Sequence, residues 1–103
     1  MNIADIRAAL DARWDEDLVP RLVDYVRVPA KSPMFDDGWA ERGELAAVVD
    51  EARRWAQALA TSGLELEIVT LPGRTPCLLF DAPATGGLGN ERTALFYGHL
   101  DKR

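Results

Sequence analysis

The sequence predicts an α/β fold in which N-terminal helices precede the first strands of a mixed or parallel sheet. In the first half of the chain, apolar residues recur at spacings of three and four, as in helices that bury one face. The second half holds three short runs with the alternating or continuous apolar pattern of strands, at 64–70, 76–81 and 93–97.

The first 28 residues predict two helical segments. Ile6, Leu10 and Trp14 share one helical face, and a second apolar stripe follows Pro20. Proline fits the first turn of a helix but not its interior, so a break or kink is expected between Asp15 and Pro20. The acidic run 15–17 suits the solvated first turn of the second helix, and metal binding is the less favoured interpretation.

The clearest predicted element is a helix that begins near Leu45 and ends before Gly63. Pro29 ends the preceding helix, and the loop after it is expected to cover the core edge and cap the next helix. The apolar face of the clearest helix consists of Leu45, Val48, Val49, Ala52, Trp55, Ala56 and Leu59. We interpret this stripe as a packing face.

The strand signals differ from one another. The run 64–70 alternates and predicts a strand with one wet face, while 76–81 is nearly continuous and predicts a strand covered on both sides. A turn is expected at 71–74. The glycine-rich stretch 82–90 fits neither a dinucleotide nor a Walker pattern, so we expect a hairpin connection to the strand 93–97.

Composition narrows the function classes. The chain of 103 residues carries a net charge of -5, which argues against binding to a nucleic acid backbone. No apolar run is long enough for a membrane span, and the N-terminus lacks the pattern of a secretory leader, so a cytoplasmic location is expected. Cys77 is the only cysteine, and its apolar surroundings predict a buried thiol.

The only histidine lies in the final segment, Gly98–Asp101. Residues two apart point to the same side of a strand, so His99 and Asp101 can emerge together where the strand 93–97 ends. A carboxylate beside an imidazole sets which ring nitrogen carries the proton and leaves the other for a metal or a substrate. The alternative is a hydrogen-bonded structural pair, because a site needs several converging groups.

Two segments carry a family resemblance. Residues 25–29, Tyr-Val-Arg-Val-Pro, are similar to an Arg-Ile-Pro-Ser signature, and residues 95–101 end in the motif Gly-His-Leu-Asp. With the intervening elements in order, the chain resembles the zinc-dependent amidohydrolases and peptidases that include aminoacylase, carboxypeptidase G, acetylornithine deacetylase, succinyl-diaminopimelate desuccinylase and carnosinase-like dipeptidases. Lys102 matches the dipeptidase-like branch, whereas Ala30 and Arg103 stand where the family has serine and glutamine.

The resemblance implies that residues 1–103 are the N-terminal, truncated part of one zinc-peptidase catalytic domain, and that their strands are the first few of an incomplete sheet. His99 would bind one of two zinc ions, and Asp101 would be the catalytic carboxylate that orients it. In the family, a bridging aspartate, an adjacent pair of glutamates that supplies the general base and a ligand, a further acidic ligand and a second histidine all lie downstream of this motif. The implied substrates are small peptides or N-acyl amino acids, and the family can form homodimers through a second domain that is absent here.

These expectations leave two hypotheses. The first is the N-terminal part of a zinc-dependent dipeptidase or N-acyl-amino-acid amidohydrolase. Because one imidazole cannot make a catalytic zinc site, we expect the 103-residue chain to be inactive and to hold zinc weakly. The second is a small non-enzymatic α/β module that at most binds a partner through its sheet edge. In either case an unpaired edge predicts marginal stability or self-association.

Overall fold

The computed structural model describes residues 2–59, 61, 63–87 and 92–103. It is a mixed α/β structure with four α-helices, one π-helical turn and a two-stranded sheet within those residues. The α-helices are α1 (Ile3–Arg13), α2 (Val19–Arg27), α3 (Trp39–Arg42) and α4 (Glu44–Ala58), the π-helical turn is Trp14–Leu18, and the strands are β1 (Glu65–Val69) and β2 (Cys77–Asp81).

The first two helices are joined by the π-helical turn, which lies where the break was predicted. Asn2 caps α1 by accepting a hydrogen bond from the Asp5 amide at 2.9 Å. Pro20 lies in the first turn of α2 and has no N–H to offer the preceding turn, which accounts for the irregular winding just before it. The acidic run 15–17 therefore lies within a continuous helical segment and does not begin a separate helix.

Asp17, an acidic residue of the π-helical turn, connects this turn to α4. Asp17 accepts a hydrogen bond from the Trp55 indole at 3.0 Å and forms an ion pair with Arg21 at 3.3 Å. The Trp55 hydrogen bond is the largest of the effects that hold the pKa of Asp17 below its ordinary value. Asp17 is therefore a structural link and not simply a solvated helix residue.

The core lies where α4 meets the chain that leaves α2. Val28 adopts an extended conformation before Pro29, so α2 ends as predicted. Ala30, Leu45 and Val48 form the buried cluster, and four partly buried residues surround it: Tyr25, Val28, Trp39 and Leu100. Leu45, Val48, Val49 and Ala56 are buried along α4, which confirms the predicted packing face.

The loop before α3 is organised by Asp36. Its carboxylate accepts a hydrogen bond from the Gly38 amide at 3.0 Å and pairs with Arg42 of α3. These contacts, with the Arg42 hydrogen bond as the largest cause, lower the pKa of Asp36. The prediction that this loop caps the next helix is wrong, because the N-cap residues of α3 and α4 are Gly38 and Gly43 and neither helix has a side-chain cap. Asp36 instead orders the loop just before α3.

The two strands are antiparallel, with Leu66 opposite Phe80 and Ile68 opposite Leu78. This pairing excludes a purely parallel sheet for the strands described, whereas a mixed sheet, the other form predicted, would contain such a pair. A turn joins them, closed by the Arg74 amide donating to the Leu71 carbonyl at 3.1 Å, as the motif Leu-Pro-Gly-Arg predicts. A turn this short can only reverse the chain, so antiparallel pairing follows from it.

The predicted third strand is absent. Residues 93–97 are described, yet they belong to neither strand, and Leu95, Phe96 and Tyr97 are 93%, 91% and 92% exposed. Strand propensity alone does not hold a segment extended, because a strand needs backbone partners on a neighbouring segment. The hairpin connection predicted at 82–90 required that strand, so this prediction is not confirmed. Residues 88–91 of the connection lie outside the described residues.

The predicted burial of β2 is also wrong. Leu78 is partly buried, whereas Cys77, Leu79, Phe80 and Asp81 are exposed. The thiol of Cys77 is accordingly exposed, not buried. Among the described residues, β1 and α4 are the elements that pack most closely against β2, and they leave most of its apolar side chains exposed.

The whole molecule is extended for its length. Its radius of gyration is 16.4 Å, whereas about 13 Å is typical of a compact domain of about 100 residues. Within the described ranges, only five hydrophobic residues are buried: Ala30, Leu45, Val48, Val49 and Ala56. None of the described helices has the length and apolar character needed to cross a bilayer.

Candidate metal-binding segment

Residues 98–103 lie against the loop that follows α2. The Ser32 amide donates to the Lys102 carbonyl at 2.7 Å, and the Lys102 amide donates to the Ala30 carbonyl at 2.9 Å. These bonds form a parallel bridge between Lys31 and Lys102. Leu100 packs against the buried cluster, so the segment is held by both backbone and side-chain contacts.

His99 and Asp101 are in direct contact. His99 Nδ1 lies 2.9 Å from Asp101 Oδ1 and 3.0 Å from the Asp101 carbonyl oxygen. Both oxygens are acceptors when the carboxyl is ionised, so Nδ1 carries the proton and donates. Nε2 is then the nitrogen with the lone pair, which is the form of imidazole that binds a metal ion.

The pair is oriented toward solvent. The side chain of His99 is 71% exposed and that of Asp101 is 33% exposed. The sequence-based expectation that the two side chains emerge together agrees with this arrangement. The expected support for them does not, because residues 93–97 form no strand, and the bridge to Lys31 and the packing of Leu100 hold the segment instead.

The described residues place a single imidazole here and not a set of metal-ligating side chains. Among them, no group of three or more His, Cys, Asp or Glu side chains is arranged to hold a metal ion. A catalytic zinc site normally has three protein ligands and a water. The exposed imidazole with a carboxylate on its Nδ1 therefore fits one position of such a site.

Lys102 and Tyr25 form a second feature of the segment, and sequence reasoning missed it. The Lys102 ammonium lies 4.0 Å from the centre of the Tyr25 ring and donates to the backbone carbonyls of Tyr25 and Val28. The Tyr25 hydroxyl in turn donates to the Leu100 carbonyl. Only the resemblance had singled out Lys102, and no local pattern indicates a contact between residues 77 positions apart.

The electrostatics of this contact follow from its burial. Burial lowers the pKa of the Lys102 ammonium, and the carboxylate of Glu44 partly opposes that shift. Burial also raises the pKa of the Tyr25 hydroxyl, with the Asp101 carboxylate as a second cause. The phenol therefore stays protonated at neutral pH and can act as a hydrogen-bond donor.

An apolar groove of about 680 Å³ lies between α2 and α4. Leu22, Tyr25, Val48 and Trp55 contribute to its lining, and Leu100 reaches it from the C-terminal segment. The charged residues Arg21, Asp24, Glu51 and Arg54 also line it. The groove is continuous with the core and holds no cluster of metal-ligating side chains in the described part of the chain.

Comparison with known proteins adds no assignment. No protein-family model matches the chain. No curated protein matches it either.

Proposed function

We propose that the chain is the N-terminal part of the catalytic domain of a zinc-dependent amidohydrolase or dipeptidase, with His99 as a ligand to one zinc ion. The observation that carries the proposal is the contact of 2.9 Å between His99 Nδ1 and Asp101 Oδ1, combined with the exposure of the imidazole. The motif Gly-His-Leu-Asp, by which the sequence resembles that family, supports the same assignment.

Asp101 acts through His99 in this proposal. Its carboxylate holds the proton on Nδ1, fixes the ring orientation and increases the basicity of Nε2. When bound, zinc would supply a Lewis acid and an activated water for hydrolysis of a peptide or amide bond. The substrates proposed from the resemblance are dipeptides or N-acyl amino acids.

Coordination chemistry requires groups beyond those described. His99 is the only histidine among the 103 residues, and one imidazole provides a single ligand. We therefore assign the remaining ligands and the general base to polypeptide beyond these 103 residues, and we expect no hydrolysis from residues 1–103 alone. This division also accounts for the small core and the exposed apolar residues at 95–97.

A second candidate is a non-catalytic α/β module that binds a partner strand. The observation that favours it is the exposure of Leu95, Phe96 and Tyr97, which have strand propensity but belong to no strand in the described part of the chain. This candidate assigns no metal to His99, so a test for metal-dependent hydrolysis distinguishes it from the zinc hydrolase.

The test is activity of the protein encoded by the complete reading frame that contains these residues. It is assayed on a panel of dipeptides and N-acyl amino acids, with and without a chelator, and beside a His99→Ala variant. The proposal expects hydrolysis that is lost on chelation, restored by zinc and absent in His99→Ala. Chelator-resistant hydrolysis, or a reading frame with no further histidine and no pair of glutamates after Arg103, contradicts it.

A further inference from the structure

The carbonyl groups at the end of α2 are bonded by a residue from the opposite end of the chain. The last carbonyls of a helix have no donor within the helix and carry its partial negative charge. The Tyr25 carbonyl in α2 already accepts the Val28 amide at 3.2 Å, and the Val28 carbonyl accepts the Ala30 amide at 2.8 Å. The Lys102 ammonium adds a second, charged donor to each of these carbonyls. A partly buried cation at this position also offsets the partial negative charge of the helix end.

Tyr25 completes the contact from the other side. Its ring lies under the Lys102 ammonium at 4.0 Å, an arrangement in which a cation is attracted to the aromatic face. Its hydroxyl donates to the carbonyl of Leu100. A single residue of α2 thus contacts both residues that flank Asp101 in the chain.

These contacts of Leu100 and Lys102 determine where Asp101 and His99 lie. Leu100 and Lys102 are fixed by these bonds and by the backbone bridge to residues 30–32, so the backbone of Asp101 between them is fixed as well. In the described part of the chain, the hydrogen bonds of the His99 side chain go to Asp101 alone. The position of the imidazole therefore depends on Asp101, and through it on Lys102.

We propose that Lys102 is a positioning residue for the His99–Asp101 pair, and that it acts through its contacts with the end of α2. We call these contacts the clasp: the Lys102 ammonium on the Tyr25 ring and on the Tyr25 and Val28 carbonyls, and the Tyr25 hydroxyl on the Leu100 carbonyl. The proposal rests on the proposed function for its meaning, since a positioned imidazole matters when it is a metal ligand. The clasp itself is a property of the metal-free chain and can be measured there.

The experiment compares Lys102→Met with Lys31→Met in the 103-residue chain. Methionine keeps the length of the stem and removes the ammonium. Lys31 is the bridge partner of Lys102 and its side chain is exposed, so it is the matched control. Amide hydrogen exchange is followed at Ser32, whose N–H bonds to the residue 102 carbonyl, and at buried positions of α4. The nitrogen-15 shifts of the His99 ring are recorded in the same samples.

The expected result is exchange at Ser32 about tenfold faster or more in Lys102→Met, while the buried amides of α4 keep their rates. The His99 ring should also shift from the Nδ1–H form toward a mixture of tautomers. Lys31→Met should change neither. Exchange that rises equally at Ser32 and in α4 would show a general loss of stability and would overturn the proposal, as would an unchanged Ser32.

A milder variant covers the case in which Lys102→Met fails to fold. Tyr25→Phe keeps the ring under the ammonium and removes only the bond to the Leu100 carbonyl. It should accelerate exchange at Ser32 by a smaller factor, and no acceleration would count against the clasp. If the clasp behaves as expected but the complete protein takes up no zinc, the proposed function fails and the clasp stands.

Discussion

At the scale of single residues, the distribution of polar contacts around His99 is uneven. Nδ1 has two oxygens of Asp101 within 3.0 Å, and Nε2 is the ring nitrogen that remains for an external group. The preference for one tautomer is therefore built into three consecutive residues and does not require a metal. It can be measured in the metal-free chain.

Asp101→Ala should weaken that preference, because it removes the carboxylate contact at 2.9 Å and keeps only the backbone carbonyl contact at 3.0 Å. Without the carboxylate, the nitrogen-15 shifts of the His99 ring should move from the Nδ1–H form to a mixture of tautomers. In the complete protein, metal affinity should fall by a factor of about 10 to 100, which is usual when the hydrogen-bond partner of a metal-binding histidine is removed. Asp81→Ala, at the exposed end of β2, is the control and should leave the ring unchanged. An unaltered tautomer in Asp101→Ala would remove the role assigned to that carboxylate.

Asp36 should make the fold sensitive to acid. Its pKa lies below the ordinary value of 3.8 in the folded state, chiefly because Arg42 bonds to it. The unfolded chain therefore binds more protons in the window below the ordinary value. The stabilisation is complete above that value and is lost as the pH falls through the folded-state pKa.

Asp36→Asn tests this. Urea unfolding between pH 7 and pH 3 should show a shallower loss of unfolding free energy in the variant than in the native chain. Asp17 and Asp50, whose pKa values are also lowered, keep the remaining slope. Asp37→Asn changes the exposed neighbour and should keep the native slope. A native slope in Asp36→Asn would show that the Arg42 contact contributes nothing to folding.

At the scale of elements, the predictions that depend on local pattern are confirmed. Helix α4, the irregular winding before Pro20 and the turn at 71–74 each follow from residues within a few positions of one another. The predictions that the structure contradicts concern pairing and burial, which depend on residues far away in the sequence. The pattern 93–97 favours a strand, yet nothing among the described residues pairs with it, and the apolar pattern of β2 cannot show whether a second layer covers it.

The candidate metal-binding segment likewise contains one contact that the sequence predicts and one that it does not. The closeness of His99 and Asp101 follows from a spacing of two residues, so it could be expected from the sequence. The clasp between Lys102 and Tyr25 joins residues 77 positions apart, so it forms only when the chain folds and no local pattern predicts it. Whether the imidazole binds zinc depends on further ligands, which no pattern within residues 1–103 provides.

Gly63 should be the more sensitive of two glycines that connect elements. Gly63 and Gly73 both have φ near +70°, where a side chain is strained by about 1 to 2 kcal/mol. A Cβ on Gly63 would also lie 2.9 Å from Cγ of Pro83, whereas one on Gly73 would meet nothing within 4 Å. In denaturant titrations, Gly63→Ala should therefore lose more unfolding free energy than Gly73→Ala. Equal losses would show that Pro83 moves aside at no cost.

At the scale of the whole molecule, the balance between core and exposed apolar surface is unfavourable. Leu95, Phe96 and Tyr97 are almost fully exposed, while the buried hydrophobic residues in the described ranges belong to α4 and Ala30. Contiguous exposed apolar residues with strand propensity promote association between chains. The same surface would be covered if further strands of a catalytic domain packed there.

The 103-residue chain should therefore associate as its concentration rises. Sedimentation velocity should show a shift to larger species that is reduced by the double substitution Leu95→Lys and Tyr97→Lys. Leu71→Lys replaces a single exposed leucine in the turn between the strands and should have little effect. A chain that stays monomeric at high concentration would contradict the prediction of an uncovered edge.

We propose above all that His99 is one member of a larger set of zinc ligands. The most direct test of this is the zinc content per chain of the protein made from the complete reading frame, purified without added chelator, for the native sequence and for His99→Ala. We predict zinc bound to the native protein and a marked loss of it in His99→Ala. A native protein without zinc, or a His99→Ala variant that retains all of it, would contradict the account.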